Sequence, residues 1–277
     1  MEITEILEDS FKYPIQDWTK ILILGVLLLI PTIFAIFPVL ALAFNQITAF
    51  WILFLIVIII AIVSLLIVYG YCLSVTRESI FGSNDLPNLE FLKNIVDGLK
   101  LIVVNIVYYI IPLIVTIIVA YATGLFNNLS QLFTYMTQTY ILTSQNATAI
   151  PQIPQELLVS LGVSLLIVGI VAFITFVLAT LFFEIAVARL AETEKLSEIF
   201  NCKEIFEDIG KIGWGKYILW FILIYLILIA VSMILGALQT IPIVNLIISL
   251  LSLLLVLPFL LLFGSRALGL IYKESKE

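Results

Sequence analysis

No histidine occurs in the 277 residues, so the commonest general base and the commonest transition-metal ligand are both missing. Cysteine is nearly absent as well. Cys72 and Cys202 are too few for a four-cysteine zinc site or for the disulfide framework of a secreted domain, and both read as unpaired thiols. Charged residues make up 12% of the chain, against roughly a quarter in a soluble domain. The net charge of −6 argues against a nucleic-acid partner, because a phosphate-binding surface needs a basic face. Catalytic patterns are missing too: there is no HExxH, no GxSxG, no phosphate-binding glycine loop and no pair of intramembrane aspartates. No cofactor or metal is implied, and no residue set points to an enzyme.

What fills the chain is apolar. Hydrophobic residues reach 63% and the mean hydropathy is +1.23, more apolar surface than a soluble domain can bury, so lipid is the expected solvent. The first twenty residues carry five acids against Lys12 and Lys20. A signal peptide opens with a basic region instead, so the first apolar run is expected to stay in the protein. A helix needs about 20 mainly apolar residues to cross the hydrocarbon. Six stretches qualify: 21–44, 50–75, 101–121, 157–183, 217–238 and 243–263. Barrel strands alternate apolar and polar residues, whereas these runs are apolar on every face. Pro31, Pro38, Pro112 and Pro258 lie inside them and are expected to kink the helices. The expected fold is therefore all-α: a single polytopic membrane domain over 1–277 with six transmembrane helices.

The basic residues orient it. All thirteen Lys and Arg fall in 1–20, 76–100, 189–216 and 266–277, while the connections 45–49, 122–156 and 239–242 contain none. Basic residues beside spans stay in the cytoplasm, which predicts both termini inside and an outer loop over 122–156. The inner segments are not net positive, so a polybasic patch for anionic lipid is not expected. The partners implied are the lipid bilayer and a membrane protein that the sequence does not identify. Trp18, Trp51, Trp214, Trp220, Tyr108 and Tyr109 read as interfacial belts. Gly162, Gly169, Gly236 and Gly264 read as points of close helix packing.

A repeat underlies the apolar background. Three times an amphipathic inner-face stretch leads into a helical hairpin whose return helix ends in Arg, giving units 1–80, 85–195 and 199–277. The amphipathic stretches carry Ile3, Ile6, Leu7 and Phe11; then Leu92, Ile95, Val96 and Leu99; then Ile205, Phe206, Ile209 and Ile212, at spacings that suit interfacial helices. The first two continue alike, as FKYPIQDWTKILILGVLLLIPTI and LKNIVDGLKLIVVNIVYYIIPLI. The return helices end at Arg77, Arg189 and Arg266. Each of these reads singly as a boundary anchor that snorkels to the interface, and together they raise the prospect of a pseudo-threefold arrangement.

Glu184, in TLFFEIAVARL, is the one acid within an apolar run. An intramembrane carboxylate is often functional, but its shallow depth and its nearness to Arg189 favour an ion pair with that residue or with the Arg of a neighbouring helix. In the outer loop, residues 125–141 form an uncharged amphipathic pattern that predicts a helix on the outer leaflet, and 143–154 reads as a flexible loop. Asn128-Leu-Ser130 and Asn146-Ala-Thr148 match the glycosylation acceptor pattern, Asn146 being the better placed of the two.

Three pieces carry a family resemblance: ILEDSFKYPIQDW at the start, GYCLSVTRESIFGSNDLPNLEFLKNIVDGLK in the first inner connection and ARLAETEKLSEIFNCKEIFEDI in the second. In these the chain resembles the domain-of-unknown-function 4013 family of prokaryotic, often archaeal, integral membrane proteins. LPNLEF with DGLK is the most specific part. The resemblance implies a six-helix membrane protein and supplies no functional residues. ARLAETEKLSEIF is also similar, more loosely, to the membrane domain attached to some glycerophosphodiester phosphodiesterases, whose catalytic domain has no counterpart here. The expected role is a non-enzymatic structural or accessory component of the cell membrane. The alternative is a small transporter or channel for an unknown solute, which needs Asn105, Thr116, Thr175 and Ser232 on a shared inward face. An intramembrane enzyme would need Glu184.

Overall fold

The computed structural model describes residues 1–144 and 153–276. It is all-α, and among the described residues six helical segments are long and apolar enough to cross a membrane: Trp18–Ala43, Ile47–Ile80, Phe91–Ala122, Gln155–Thr193, Trp214–Gln239 and Val244–Lys273. Each contains one of the six stretches expected from hydropathy or most of it, and most extend further at the charged ends.

The breaks follow from backbone chemistry. After the short helix α1 (Ile3–Lys12), the first span is split into α2 (Trp18–Phe34) and α3 (Ile36–Ala43). Pro38 has no N–H to offer the carbonyl of Phe34, so the helix hands over at Ala35. Asn45, in the left-handed region at φ 58°, makes the tight turn into α4 (Ile47–Ile80). Helix α5 (Phe91–Ala122) passes through Pro112 without interruption. The amphipathic stretch around 92–99 is therefore the first part of a span and not the separate interfacial helix that the repeat suggests. On it Leu92, Val96 and Leu99 are exposed, while Asn94, Asp97 and Gly98 are buried. Helix α6 (Leu125–Ser144) occupies the predicted amphipathic stretch, and most of the expected flexible loop lies outside the described residues. Helix α7 (Gln155–Thr193) is followed by a 3₁₀ turn, Leu196–Phe200, and by α8 (Cys202–Ile212), a separate amphipathic helix as expected. Gly213, at φ 93°, turns the chain into α9 (Trp214–Gln239). The last span runs as α10 (Pro242–Leu251), a π-turn at Ser252–Val256 and α11 (Leu257–Lys273).

The chain forms two compact units. The larger comprises Met1–Val104 and Glu184–Glu277, the smaller Asn105–Phe183. In the larger unit α4 packs against α11, α2 and α3, and α1 lies against α11. Its core joins Tyr13, Ile21, Leu24, Val68, Tyr71, Val75, Leu86 and Leu262. Glycine lets the backbones approach. A Cβ on Gly70 would sit 1.8 Å from the Asn94 carbonyl oxygen, and one on Gly98 would sit 2.2 Å from that of Leu66, so α4 and α5 cross in mutual contact. Pro258 frees the carbonyl of Leu254 in the π-turn, and that oxygen faces Gly25 at the same close range. Such glycine–carbonyl contacts suit weak Cα–H···O bonding. The four glycines expected to pack closely do not: nothing lies within contact distance of the space a Cβ would fill at Gly162, Gly169, Gly236 or Gly264.

The smaller unit is held by polar and aromatic contacts between its helical parts. Tyr109 shares a hydrogen bond with Thr180 at 3.1 Å and stacks on Phe176. Ser164 donates to the Thr123 carbonyl at 2.8 Å and accepts from Asn128 Nδ2 at 3.2 Å.

Candidate functional site

The three arginines that end the return helices are all buried in the larger unit, with 8, 5 and 2% of their surface exposed at Arg77, Arg189 and Arg266. A snorkelling anchor would leave its guanidinium in water, so each needs partners of its own. Arg189, near the end of α7, donates Nη1 to Asp208 Oδ2 at 2.6 Å and Nη2 to Glu198 Oε2 at 2.6 Å, with Glu204 as a third carboxylate on Nη2. Arg266, on α11, donates Nε to Asp9 Oδ1 at 2.7 Å, Nη1 to the Ser83 carbonyl at 2.6 Å and Nη2 to Asn84 Oδ1 at 3.0 Å. Its guanidinium also lies over the ring of Tyr13, 4.6 Å from the centroid.

Arg77, on α4, is less completely engaged. Nε donates to the Ala191 carbonyl at 2.8 Å. Nη1 lies 2.9 Å from Glu194 Oε1 and Nη2 3.8 Å from Asp97 Oδ2; both are close enough for charge pairing, and neither is aligned as a hydrogen bond. Glu194 is itself held in the left-handed region at φ 60°.

The three arginines share no ligand, yet their partners follow one rule. Arg77 lies beside Asp97 in the first turns of α5, Arg189 takes Asp208 of α8, and Arg266 takes Asp9 of α1, so each meets an aspartate on a charged helical stretch. Each aspartate begins an Asp-x-x-Lys tetrad: 9–12, 97–100 and 208–211. The lysine lies near its aspartate in two of them, at 2.8 Å for Lys100 and 3.8 Å for Lys211, while Lys12 turns to Glu8. Neither the aspartates nor the tetrads stand out in a reading for catalytic motifs. Asp-x-x-Lys also occurs at 17–20, where Asp17 accepts from the backbone N–H groups of Thr19 and Lys20, so the spacing alone does not single out the aspartates that meet arginine.

These latches gather the four charged segments of the larger unit. The Tyr272 hydroxyl donates its one proton to Glu192 at 2.7 Å and lies 3.2 Å from Asp208 Oδ2, and Lys276 pairs with Glu192 at 3.0 Å. Lys216 pairs with Glu274 at 2.5 Å. The loop at 83–87 is pinned from outside its own segment. Tyr13 donates its hydroxyl to the carbonyl of Asp85 at 3.0 Å, Lys20 donates Nζ to that of Leu86 at 2.5 Å, and Tyr71 donates its hydroxyl to that of Pro87 at 2.9 Å. Burial pushes the Tyr13 phenol up to about 12, although the Arg266 charge acts the other way.

Glu184 does not pair with Arg189. Its Oε1 accepts the Tyr225 hydroxyl at 2.7 Å, since five residues along a helix turn the two side chains apart and α9 brings a donor. Of the aromatic belt, Trp18 and Trp51 are exposed, whereas Trp220 is a core residue and stacks on Tyr217. Asn128 lies in α6 with its amide turned to Ser164, and Asn146 lies outside the described residues. Among the described residues no cluster of His, Cys, Asp or Glu could hold a metal ion.

A protein-family model described as "Protein of unknown function (DUF4013)" matches residues 52–240. This range includes the LPNLEF–DGLK and ARLAETEKLSEIF pieces, Arg77 and Arg189, and begins after Asp9. No curated protein and no solved structure matches the chain.

Proposed function

This chain belongs to the DUF4013 family of proteins of unknown function, and we propose that it is a non-enzymatic accessory component of the cell membrane. In this reading it is built from three repeat units whose charged ends form one latched platform in the cytoplasm. The observation that carries it is the use made of the buried charge. Arg189 is held by three carboxylates from the turn and helix that follow it, and Arg266 by a carboxylate, a carbonyl and an amide of other segments. Their polar groups hold elements together and are not turned toward a reacting centre.

A transporter would need a polar path at mid-membrane depth. Thr116, Thr175 and Ser232 instead donate their hydroxyls to carbonyls four residues back in their own helices, and Asn105 and Ser232 are exposed. That arrangement favours the accessory reading over transport. The exposed thiol of Cys202 provides the test, because Cys72 is buried. In sealed cells a membrane-impermeant maleimide should leave Cys202 unlabelled, and permeabilisation should expose it. Labelling of Cys202 in sealed cells overturns the cytoplasmic placement of the platform.

A further inference from the structure

A cavity of about 420 Å³ opens in the larger unit beside Arg77, within the size range of small-molecule sites. Three features distinguish it from a surface dimple. Its wall is the loop around 83–88, and three consecutive carbonyls of that loop, at Asp85, Leu86 and Pro87, are each held by a side chain from elsewhere. Connecting loops are usually the mobile part of a fold; this one is preorganised. Its floor carries Arg77 and Asn94, brought together because Gly70 lets α4 touch the backbone of Asn94. Asn94 is 99% buried, since only 1% of it is exposed, yet its Nδ2 has no acceptor, and neither Nη atom of Arg77 makes an aligned hydrogen bond. Buried donors are nearly always satisfied, and leaving them unpaired is costly.

The charges around these donors narrow the ligand. Lys93 adds a third donor at the rim, which suits an oxyanion. Glu78, Asp85 and Glu90 line the same cavity, so a bare anion would be repelled and a ligand that also carries a cation would not. We propose that this cavity binds a zwitterion, its oxyanion held by Arg77, Asn94 and Lys93 and its ammonium by Glu78, Asp85 and Glu90. The shared chemistry is that of a phosphate ester with an ammonium a few bonds away. It has two sources: the headgroup of an ethanolamine phospholipid, or the free phosphoethanolamine. Exposed Phe81, Phe91 and Leu92, close in sequence to the lining residues, supply the apolar surroundings that a lipid would meet. The proposal does not depend on the accessory reading, since a transporter could use the same site.

Native mass spectrometry of the detergent-solubilised full chain tests it. The probes are phosphatidylethanolamine, phosphatidylglycerol, O-phosphoethanolamine and inorganic phosphate. The expected result is retention of phosphatidylethanolamine over phosphatidylglycerol, or of O-phosphoethanolamine over inorganic phosphate. The first pair succeeding alone assigns the lipid source, and the second alone the soluble one. Asn94→Leu and Lys93→Ala should each weaken the retained adduct about tenfold or more, as expected for losing a hydrogen bond to a charged group. Lys93 is exposed, so its variant reports on binding even if Asn94→Leu folds poorly. Retention of none of the four probes, no preference for the zwitterion in either pair, or adducts unchanged by Lys93→Ala would overturn the proposal.

Discussion

Replacing Asp208 by Ala should destabilise the protein far more than replacing Asp9 by Ala, although each aspartate latches a buried arginine. At Asp208 both partners are sealed: the side chains are 3% exposed for Asp208 and 6% for Arg189. Removing the carboxylate strands Arg189 Nη1, on a guanidinium whose Nε already lacks an acceptor. The Tyr272 hydroxyl keeps its shorter bond to Glu192 and loses only the longer contact to Asp208. Breaking one side of a buried pair costs about 3–5 kcal/mol. Glu198 and Glu204 remain on Nη2 and keep part of the charge compensated, which places Asp208→Ala near the lower limit, about 3 kcal/mol. At Asp9 the carboxylate is 37% exposed, so water can replace it. Arg266 there keeps Ser83, Asn84 and the face of Tyr13. A loss of about 1 kcal/mol is expected, the scale of a partly exposed pair. The assay is unfolding of the purified chain in mixed micelles by titration with a denaturing detergent, compared through transition midpoints at constant slope. The reasoning is refuted if Asp208→Ala lies within 1 kcal/mol of the wild type, or if Asp9→Ala is the more damaging change.

Other outcomes follow from the same geometry. Gly70→Ala, whose Cβ would meet the Asn94 carbonyl at 1.8 Å, should cost about 1–3 kcal/mol or more by forcing α4 and α5 apart. Gly236→Ala, with open space around it, should be neutral or stabilise by about 0.5–1 kcal/mol; the same detergent titration compares the two. Glu194→Gly removes an ion pair whose carboxylate is half exposed, worth about 0–1 kcal/mol, and relieves a left-handed backbone costing about 1–2 kcal/mol. The transition midpoint should therefore stay level or rise, and a large fall would mean that the Arg77 latch depends on Glu194. Tyr13 ionises near 12 in the fold against roughly 10 in an unfolded chain, so its contribution is intact below pH 10 and is lost as the pH rises toward 12. Stability measured from pH 9 to 12 should fall for the wild type and fall less for Tyr13→Phe.

The six spans were legible because lipid imposes both a length and a composition, and an apolar run of that length has few alternatives. Their charged ends were less legible. Around 92–99 Leu92, Val96 and Leu99 are exposed, as a lipid-facing side would be, but the polar Asn94 and Asp97 turn into the protein and were not expected to be covered. A pattern of polarity states that a helix has two faces without stating which one is covered. The glycines failed for a related reason. Gly70 and Gly98 are contact points only because a carbonyl of another helix faces them, and nothing in their own neighbourhood announces that. Arg77, Arg189 and Arg266 were recognisable from the repeat. Arg266 takes Asp9 from 257 residues away, whereas the carboxylates on Arg189 lie 9, 15 and 19 residues on in its own segment, and no local pattern marks either set. Glu184 shows the limit of sequence proximity, since Tyr225, 41 residues on, supplies its hydrogen bond.

The central claim is that the four charged segments share one membrane face and form one platform. Single cysteines at Lys12, Glu90, Lys203 and Lys276, each placed in a Cys202→Ser background, sample the four segments one at a time. Labelling intact cells with an impermeant maleimide before and after permeabilisation reads their side. The account predicts that all four react only after permeabilisation, while a cysteine at Asn146 reacts beforehand. A single one of the four labelled in intact cells would contradict it.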